Sequence, residues 1–243
     1  MIFWITLGLA SFISLMIGMI MIFVMHPDIL PPGLLKTKVA IAAVSADWPA
    51  YFGFLQQASG ALGIILFGFI ISWNYGREYS DRTVKDLLAL PVSRVSIFSS
   101  KLLAVFLWCV LLSVEMYCVS LAIGFLIKLP LWDMAVFYDF TRIYFFSALL
   151  SYLLCPAFAF VASAGRGFLP AIGFLILSLG LANFFGTIGW GAYFPWAIPM
   201  LYTQAIGSSG GRLALVSYII LFSTGFAGTA GTLLFWKYAD QSK

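Results

Sequence analysis

The stretch that decides the fold is residues 2–25, which read IFWITLGLASFISLMIGMIMIFVM. This run carries no charged side chain, and a helix that rises ~1.5 Å per residue would cross the ~30 Å hydrocarbon core of a bilayer within it. A secretory signal peptide has a basic start, a shorter apolar run and a small-residue cleavage site, and none of these precedes His26. The run therefore predicts a retained first membrane-spanning helix.

Further apolar runs of similar length follow the first one. They lie at residues 51–75, 102–127, 143–163, 168–188 and 213–236. The composition agrees, because 63% of the 243 residues are hydrophobic and 9% are charged, against about 25% charged in soluble proteins. Helices are expected because the alternating pattern of a membrane barrel is absent. We predict an all-α membrane protein, one domain over residues 1–243 with six transmembrane helices.

Positive charge indicates how the chain lies in the membrane. Of the 13 Lys and Arg residues, eight fall on the side that holds residues 76–101 and both termini, and five fall on the other side. Cytoplasmic loops carry the excess of such residues, so we expect both termini in the cytoplasm. The opposite segments, residues 39–50 and 189–211, are apolar and aromatic. We expect them to lie at the extracellular interface or to re-enter the membrane as broken helix.

A polar segment follows the second apolar run. Residues 77–91 read REYSDRTVKDLLALP, and they hold six charged side chains. Read as a helix, the segment places Glu78 beside Arg82 and Asp81 beside Lys85, each pair four residues apart and of opposite charge. The pattern predicts a short amphipathic helix on the cytoplasmic side.

The same helix would carry an apolar stripe. Val84, Leu87 and Leu88 share one face, while Pro91 would end the element and Ser93 would cap the next helix. The stripe must lie on the membrane surface, on this protein's own helix ends or in a groove of a partner. An interfacial helix usually has a basic polar face, so the mixed charge of this one favours a protein partner.

These residues carry a family resemblance. The polar segment resembles the cytoplasmic segment of ABC-2 type transporter permeases. It is most similar to that of small bacterial exporters such as bacitracin and lantibiotic immunity transporters. The residues that carry the resemblance are Glu78, Asp81, Arg82, Thr83, Leu87, Leu88, Pro91, Ser93, Arg94 and Lys101. The six-run layout and residues 189–199 are similar to the family as well. Family members usually have an amphipathic elbow helix before the first span, and this chain starts directly in hydrophobic sequence. The role of the elbow helix is therefore not carried over.

The resemblance implies that transport and ATP hydrolysis take place on different chains. Residues 81–90 would be the coupling helix, which docks through Val84, Leu87 and Leu88 into a groove of a separate ATP-binding cassette subunit. Glu78 would lie at the hinge between the second span and that helix. Two permease chains, identical or different, would work with two ATP-binding chains in the bacterial plasma membrane. ATP and Mg would be bound by the partner, with no cofactor on this chain.

Missing motifs agree with a transport subunit that is not itself an enzyme. The chain has no GxxxxGK[ST] loop to bind phosphates, so any ATP is expected to be hydrolysed on another polypeptide. A lone His26 excludes HExxH and multi-histidine metal sites. The net charge of +4 is scattered over short loops, so we expect the lipid bilayer and protein partners but no nucleic acid.

Four polar side chains inside the predicted spans are candidates for the substrate path. Glu115 is the only acidic one, and a charge at mid-membrane costs about 2.5–3.5 kcal/mol, so it either lines the path or is a protonated or hydrogen-bonded structural group. Gln56, Gln57 and Asn183 could contact substrate or bond between helices, and we favour the second role.

Two further expectations concern the last span and the alternative functions. Ser223, Ala227 and Gly231 recur every four residues, which predicts a face that another helix can approach closely. The main functional prediction is an exporter of an amphipathic or hydrophobic substrate. The alternatives are a proton-coupled secondary transporter that uses Glu115 and a non-transporting scaffold or sensor subunit.

Overall fold

The structure is a computed structural model that describes residues 2–26, 45–81, 83, 91–209 and 213–238. Within these residues the secondary structure is helical, with two 3-10 turns at Gly191–Tyr193 and Pro195–Ala197. The α-helices are α1 (Ile2–Met25), α2 (Trp48–Ser80), α3 (Arg94–Leu126), α4 (Met134–Leu153), α5 (Cys155–Ala164), α6 (Phe168–Thr187), α7 (Ile198–Ser209) and α8 (Leu215–Tyr238).

The described part of the chain contains six helical segments that are long and apolar enough to cross a membrane. They are Phe3–Met25, Trp48–Ser80, Arg94–Leu126, Met134–Ala164, Phe168–Thr187 and Leu215–Tyr238. The fourth segment consists of α4 and α5, which meet at Leu154, where Pro156 occupies the first turn of α5. The prediction of an all-α, multi-pass membrane protein with six transmembrane helices is confirmed.

The second and third spans are longer than their apolar runs. α2 extends to Ser80 and α3 begins at Arg94, because a helix continues into polar sequence until a capping group or a turn stops it. The hydroxyl of Ser93 accepts a hydrogen bond from the backbone N–H of Ser96 at 3.1 Å, so the predicted cap at Ser93 is confirmed. At the other end of α2, the carboxylate of Asp47 accepts one from the N–H of Ala50 at 2.9 Å.

The chain divides into two compact units, of which the first comprises Met1–Ser59 and Val110–Phe145. Gly18 of α1 contacts Ile123 of α3, and Gly124 of α3 contacts the Trp48 ring, so closely that neither glycine has room for a Cβ. Glycine at a helix crossing lets two backbones approach. These contacts hold α1 and the start of α2 against the second half of α3.

The second unit comprises Gly60–Cys109 and Phe146–Lys243. In it α8 packs against the α4–α5 junction through Gly225, which faces the Leu153 carbonyl, and Gly228, which faces the backbone of Ala157. Of the predicted face of small residues, Gly231 lies against the Phe160 ring of α5, whereas Ser223 and Ala227 are exposed. Helical period is 3.6 residues, so residues spaced by four drift away from the face that the neighbouring helix covers.

The segment before the last span is broken helix, as predicted. After Gly189, whose φ is 82°, the chain makes the two 3-10 turns and then enters α7. The helix α7 was not predicted within residues 189–211. Its length of 12 residues is well below the roughly 20 residues that a membrane span needs.

Candidate functional site

The end of α2 and the beginning of α3 meet at Lys101. Its ammonium nitrogen lies 2.5 Å from Oε1 of Glu78 and donates a hydrogen bond to the backbone carbonyl of Asn74 at 2.9 Å. The two side chains are 14% and 20% exposed, so little water screens the pair. Low local polarity strengthens such an ion pair and makes an unpaired member costly.

Two aromatic rings complete the surroundings of this ammonium group. The nitrogen lies 5.0 Å from the centre of the Tyr75 ring and 5.5 Å from that of the Trp236 ring, distances at which the faces of aromatic rings attract a cation. The Tyr75 hydroxyl donates to the carbonyl of Phe98 at 3.0 Å. Lys101 thus joins the last turns of α2 and α8 to α3.

Arg94 makes a second connection between α3 and α8. Its guanidinium donates to the backbone carbonyl of Trp236 and to that of Lys237 at 3.2 Å. The last carbonyls of a helix have no partner within the helix, and a cation there also interacts favourably with the helix dipole. We call the five side chains that make these connections, Glu78, Lys101, Tyr75, Trp236 and Arg94, the Lys101 cluster.

The second unit brings α6 to the same end of α2. Gly76 lies against the backbone of Gly167 and Phe168, where a Cβ would clash. Trp236 also donates from its Nε1 to the hydroxyl of Ser163 at 3.0 Å. The end of α2 therefore contacts α3 and α6, and the beginning of α3 contacts α2 and α8, on the two sides of the polar segment.

The polar segment itself is only partly described. Arg82, Val84, Leu87 and Leu88 lie outside the described residues, as does residue 85. Thr83 is exposed and its backbone N–H donates to the carbonyl of Glu78 at 2.9 Å. The coupling role of the segment therefore stays a prediction.

The ion pairs predicted within this segment join Glu78 to Arg82 and Asp81 to Lys85, and both of these partners lie outside the described residues. The described residues show two further ion pairs. Asp81 pairs with Arg77 at 3.0 Å, with both side chains more than half exposed, and Glu78 pairs with Lys101. The prediction considered only partners within one helix. A long Lys side chain on the next helix reaches Glu78 because α2 and α3 pack together at this point.

Glu115 lies in the first unit, at a contact between α1 and α3. The Ser11 hydroxyl donates to its Oε1, while its Oε2 is buried and has no hydrogen-bond partner among the described residues. One turn away, Ser14 donates to the carbonyl of Met116 at 3.2 Å and accepts from Ser120 at 3.0 Å. The hydrogen bond from Ser11 therefore supports a structural role for Glu115.

The three amides predicted for the substrate path lie in different surroundings. Gln56 is 7% exposed and Gln57 is exposed, and both belong to the first unit. Asn183 belongs to the second unit, where it lines a cavity of about 400 Å³.

Sequence reasoning missed two of the five residues of the Lys101 cluster and the contacts that join them. Glu78, Arg94 and Lys101 were part of the matched motif, but Tyr75 and Trp236 were assigned only to apolar runs. A usable signal was present, because Lys101 comes directly before an apolar run and a cation at that depth requires a partner. The identity of that partner depends on which helices are neighbours.

Comparison with known proteins identifies the family. Residues 1–183 match the family described as ABC-2 family transporter protein. The bacitracin transport permease protein BCRB of Bacillus licheniformis is 30% identical over 182 residues, which cover 74% of this chain and 86% of that relative. No solved structure gives a significant match. With six membrane-spanning helices among its described residues and a family match over most of its length, the chain belongs to the ABC-2 family of transporter proteins, as a membrane transport permease.

Proposed function

We propose that this chain couples ATP hydrolysis on a separate subunit to the outward movement of an amphipathic or hydrophobic substrate. Membership of the ABC-2 family supports association with an ATP-binding subunit. The relative in Bacillus licheniformis is named as a bacitracin transport permease, which makes bacitracin the first cargo to test. Two permease chains and two ATP-binding chains form the working unit in this proposal.

The observation that supports the proposal most directly is the Lys101 cluster. Residues 81–93 connect α2 to α3, and the ion pair of Glu78 and Lys101 joins the ends of these two helices. Arg94 binds the beginning of α3 to the end of α8. A partner that pushes on residues 81–93 would therefore move the ends of three spans together, whereas a loose loop would absorb the displacement.

Transmission of movement from an ATP-binding subunit to the spans requires the polar segment to face the cytoplasm, where ATP is available. The excess of Lys and Arg on that side supports this orientation, with both termini in the cytoplasm. A variant with Cys109, Cys118 and Cys155 replaced and Thr83→Cys introduced tests it. In intact cells we expect a membrane-impermeant thiol reagent to leave that cysteine unmodified, and in inside-out vesicles to modify it.

The test of coupling uses the chain purified with its ATP-binding partner and reconstituted in proteoliposomes. Lys101→Met keeps the length of the side chain and removes the charge that Glu78 binds. We expect the variant to retain the partner and its ATP hydrolysis, and to lose most ATP-dependent transport of a labelled cyclic peptide. The matched control is Arg77→Met, which removes a neighbouring cation from an ion pair that is more than half exposed.

Three results would contradict the proposal. The first is a permease that moves its cargo without an ATP-binding subunit, and the second is labelling of Thr83→Cys from outside the cell. The third is a Lys101→Met variant that transports as well as the control.

A second candidate function rests on Glu115. Its buried Oε2 without a partner in the described structure is where a proton could be gained and released, as in a proton-coupled transporter. Such a protein would move its substrate in vesicles in response to a pH gradient with ATP absent, and Glu115→Gln would abolish that movement.

A further inference from the structure

The second unit contains a cavity of about 400 Å³ between α2, the last part of α6 and the segment that runs from the second 3-10 turn into α7. This volume is within the range of about 300–1,000 Å³ that is typical of small-molecule sites. The lining residues lie within residues 61–65, 179–187 and 196–204. None of the described lining residues is charged, so an ion is not the expected occupant.

The cavity wall changes from apolar to polar along α6. Leu179 and Ala182 line the cavity first, and Asn183 and Thr187 follow them toward the end of the helix. From Leu179 to Thr187 the helix rises roughly 12 Å. Asn183 and Thr187 are exposed, whereas Ile64 on the wall formed by α2 is 1% exposed. The cavity therefore has a buried apolar part and an exposed polar end.

The polar end can form hydrogen bonds with an uncharged group. The amides of Asn183 and Gln204, two exposed residues of the lining, each have a donor and an acceptor. The hydroxyl of Thr187 donates to the carbonyl of Phe184 at 2.8 Å, and its oxygen can still accept. A charged group would find no counter-charge among the described lining residues, so its loss of hydration would not be compensated.

The walls of the cavity are closely packed beside it. A Cβ on Gly60 of α2 would lie 2.9 Å from the Cα of Met200 in α7, and one on Gly191 would lie 3.1 Å from the Cα of Gly186 in α6. The backbones therefore touch at both places, and the space is not the result of loose packing. An empty apolar space between such walls forfeits dispersion contacts, which a hydrocarbon chain would restore.

We infer that this cavity binds the hydrocarbon chain of an uncharged amphiphile that enters from the bilayer. The chain occupies the buried apolar part, and an ester or hydroxyl group next to it meets the exposed side chains of Asn183 and Thr187. Both α2 and α6 are long and apolar enough to cross the membrane, so the site lies where such amphiphiles are concentrated. The inference rests on the proposed export function only in that the amphiphile would then be the cargo, since binding itself needs no ATP.

The experiment uses a photoreactive probe on the full-length chain in lipid nanodiscs without an ATP-binding subunit. The probe is a long-chain fatty alcohol with a diazirine in its chain, and mass spectrometry locates the crosslink. We expect labelling of the peptide that covers residues 179–187 to saturate as the probe concentration rises. A tenfold excess of the same alcohol without the diazirine should then lower this labelling about tenfold, as competition for one site requires.

Exposed side chains elsewhere supply the reference for contact with bulk lipid. Trp4 and Phe12 of α1 are 71% and 56% exposed. Labelling of the peptide that contains them should rise in proportion to the probe, without saturation. Labelling of residues 179–187 that behaves in the same way would overturn the inference.

Charged competitors test the kind of amphiphile. An alkyl sulfate and an alkyltrimethylammonium ion of the same chain length should compete less well than the unlabelled alcohol, because the described lining offers neither of them a counter-charge. Competition by either ion as strong as that of the alcohol would contradict the assignment of an uncharged ligand.

Two variants fill the cavity from α6. Gly186 has nothing within 4 Å of the place where a Cβ would stand, so Gly186→Leu adds a side chain without a clash, and Ala182→Leu enlarges a second residue of the same wall. Both should abolish the saturable labelling. The matched control is Gly180→Leu, because Gly180 is equally open, belongs to the same helix and does not line the cavity.

Gel filtration of each variant shows whether it is folded before it is labelled. Saturable labelling that persists in both folded variants, or that is lost equally in Gly180→Leu, would place the bound chain elsewhere and overturn the inference. ATP-dependent transport that continues beside such a result would leave the proposed function standing and remove only this binding site.

Discussion

The ammonium group of Lys101 lies 2.5 Å from a carboxylate oxygen of Glu78 and joins the last turn of α2 to the beginning of α3. Both side chains are mostly buried, and the backbone carbonyl of Asn74 accepts a second hydrogen bond from the same nitrogen. The Glu78–Lys101 ion pair thus joins the two helix ends between which the polar segment lies. A mechanical role for that segment depends on this ion pair.

Loss of one member of this ion pair should destabilise the protein. Glu78→Gln leaves the Lys101 ammonium without its counter-charge, and we expect the free energy of unfolding to fall by about 2 kcal/mol, as is common for hydrogen bonds to charged groups. The double variant Glu78→Lys with Lys101→Glu should recover part of that loss. Thermal unfolding followed by tryptophan fluorescence in detergent measures both.

A matched substitution in the exposed pair calibrates this result. Arg77→Gln disrupts the contact with Asp81, where both side chains are more than half exposed, so the change should stay below about 1 kcal/mol. Equal losses in Glu78→Gln and Arg77→Gln would show that burial does not increase the contribution of the Lys101 pair to the free energy of unfolding.

Arg94 should hold the end of α8 in place. Arg94→Gln removes the bonds of the guanidinium to the carbonyls of Trp236 and Lys237, and the last turn of α8 should then open more often. Hydrogen exchange in the peptide that covers residues 232–238 should be faster than in the unmodified chain. Lys237→Gln, in which only an exposed side chain changes, should leave that exchange rate as it was.

The packing of α8 predicts which of its small residues are indispensable. Gly228→Ala places a Cβ against the backbone at Pro156 and Ala157, and forced overpacking of this kind costs about 1–3 kcal/mol. Ala227→Ser changes the adjacent, exposed position and should cost little. The yield of monodisperse protein and the unfolding temperature compare the two, and a larger loss in Ala227→Ser would mean that the packed face is assigned wrongly.

Glu115→Gln should fold normally. The amide oxygen of Gln can accept the hydrogen bond that Ser11 donates to Glu115, so we expect unchanged assembly and ATP-dependent transport. Glu115→Leu, which has no acceptor for Ser11, should lower the unfolding temperature. Transport lost in a well-assembled Glu115→Gln variant would contradict the structural role and favour the proton-coupled mechanism.

Features of this protein that are local in sequence were predictable, and contacts between helices were not. The six spans were predictable because the length of an apolar run is a local property, and in lipid every backbone group in such a run must bond within its own helix. The cap at Ser93 is local too, since a hydroxyl just before a helix accepts a hydrogen bond from a backbone N–H of the first helical turn. The polar character of residues 77–91 was visible for the same reason.

The features that were not predicted concern neighbours that are distant in sequence. The ion pair of Glu78 with Lys101 on the next helix was not among the predicted pairs. Ser223 and Ala227 were assigned to a packed face that Gly225 and Gly228 occupy. Both outcomes depend on which helix lies beside which, and no residue spacing within one helix contains that information.

The sequence by itself determined that this chain is a six-span, all-helical membrane protein with one polar connection between its second and third helices. Only the tertiary structure decided that Lys101 of α3 pairs with Glu78 of α2 and that Gly225 and Gly228 of α8 pack against the α4–α5 junction. The physical reason is that hydrophobic length acts along one helix, while ion pairs, glycine contacts and cavities form between helices. Their energies depend on positions that the chain acquires only when it packs.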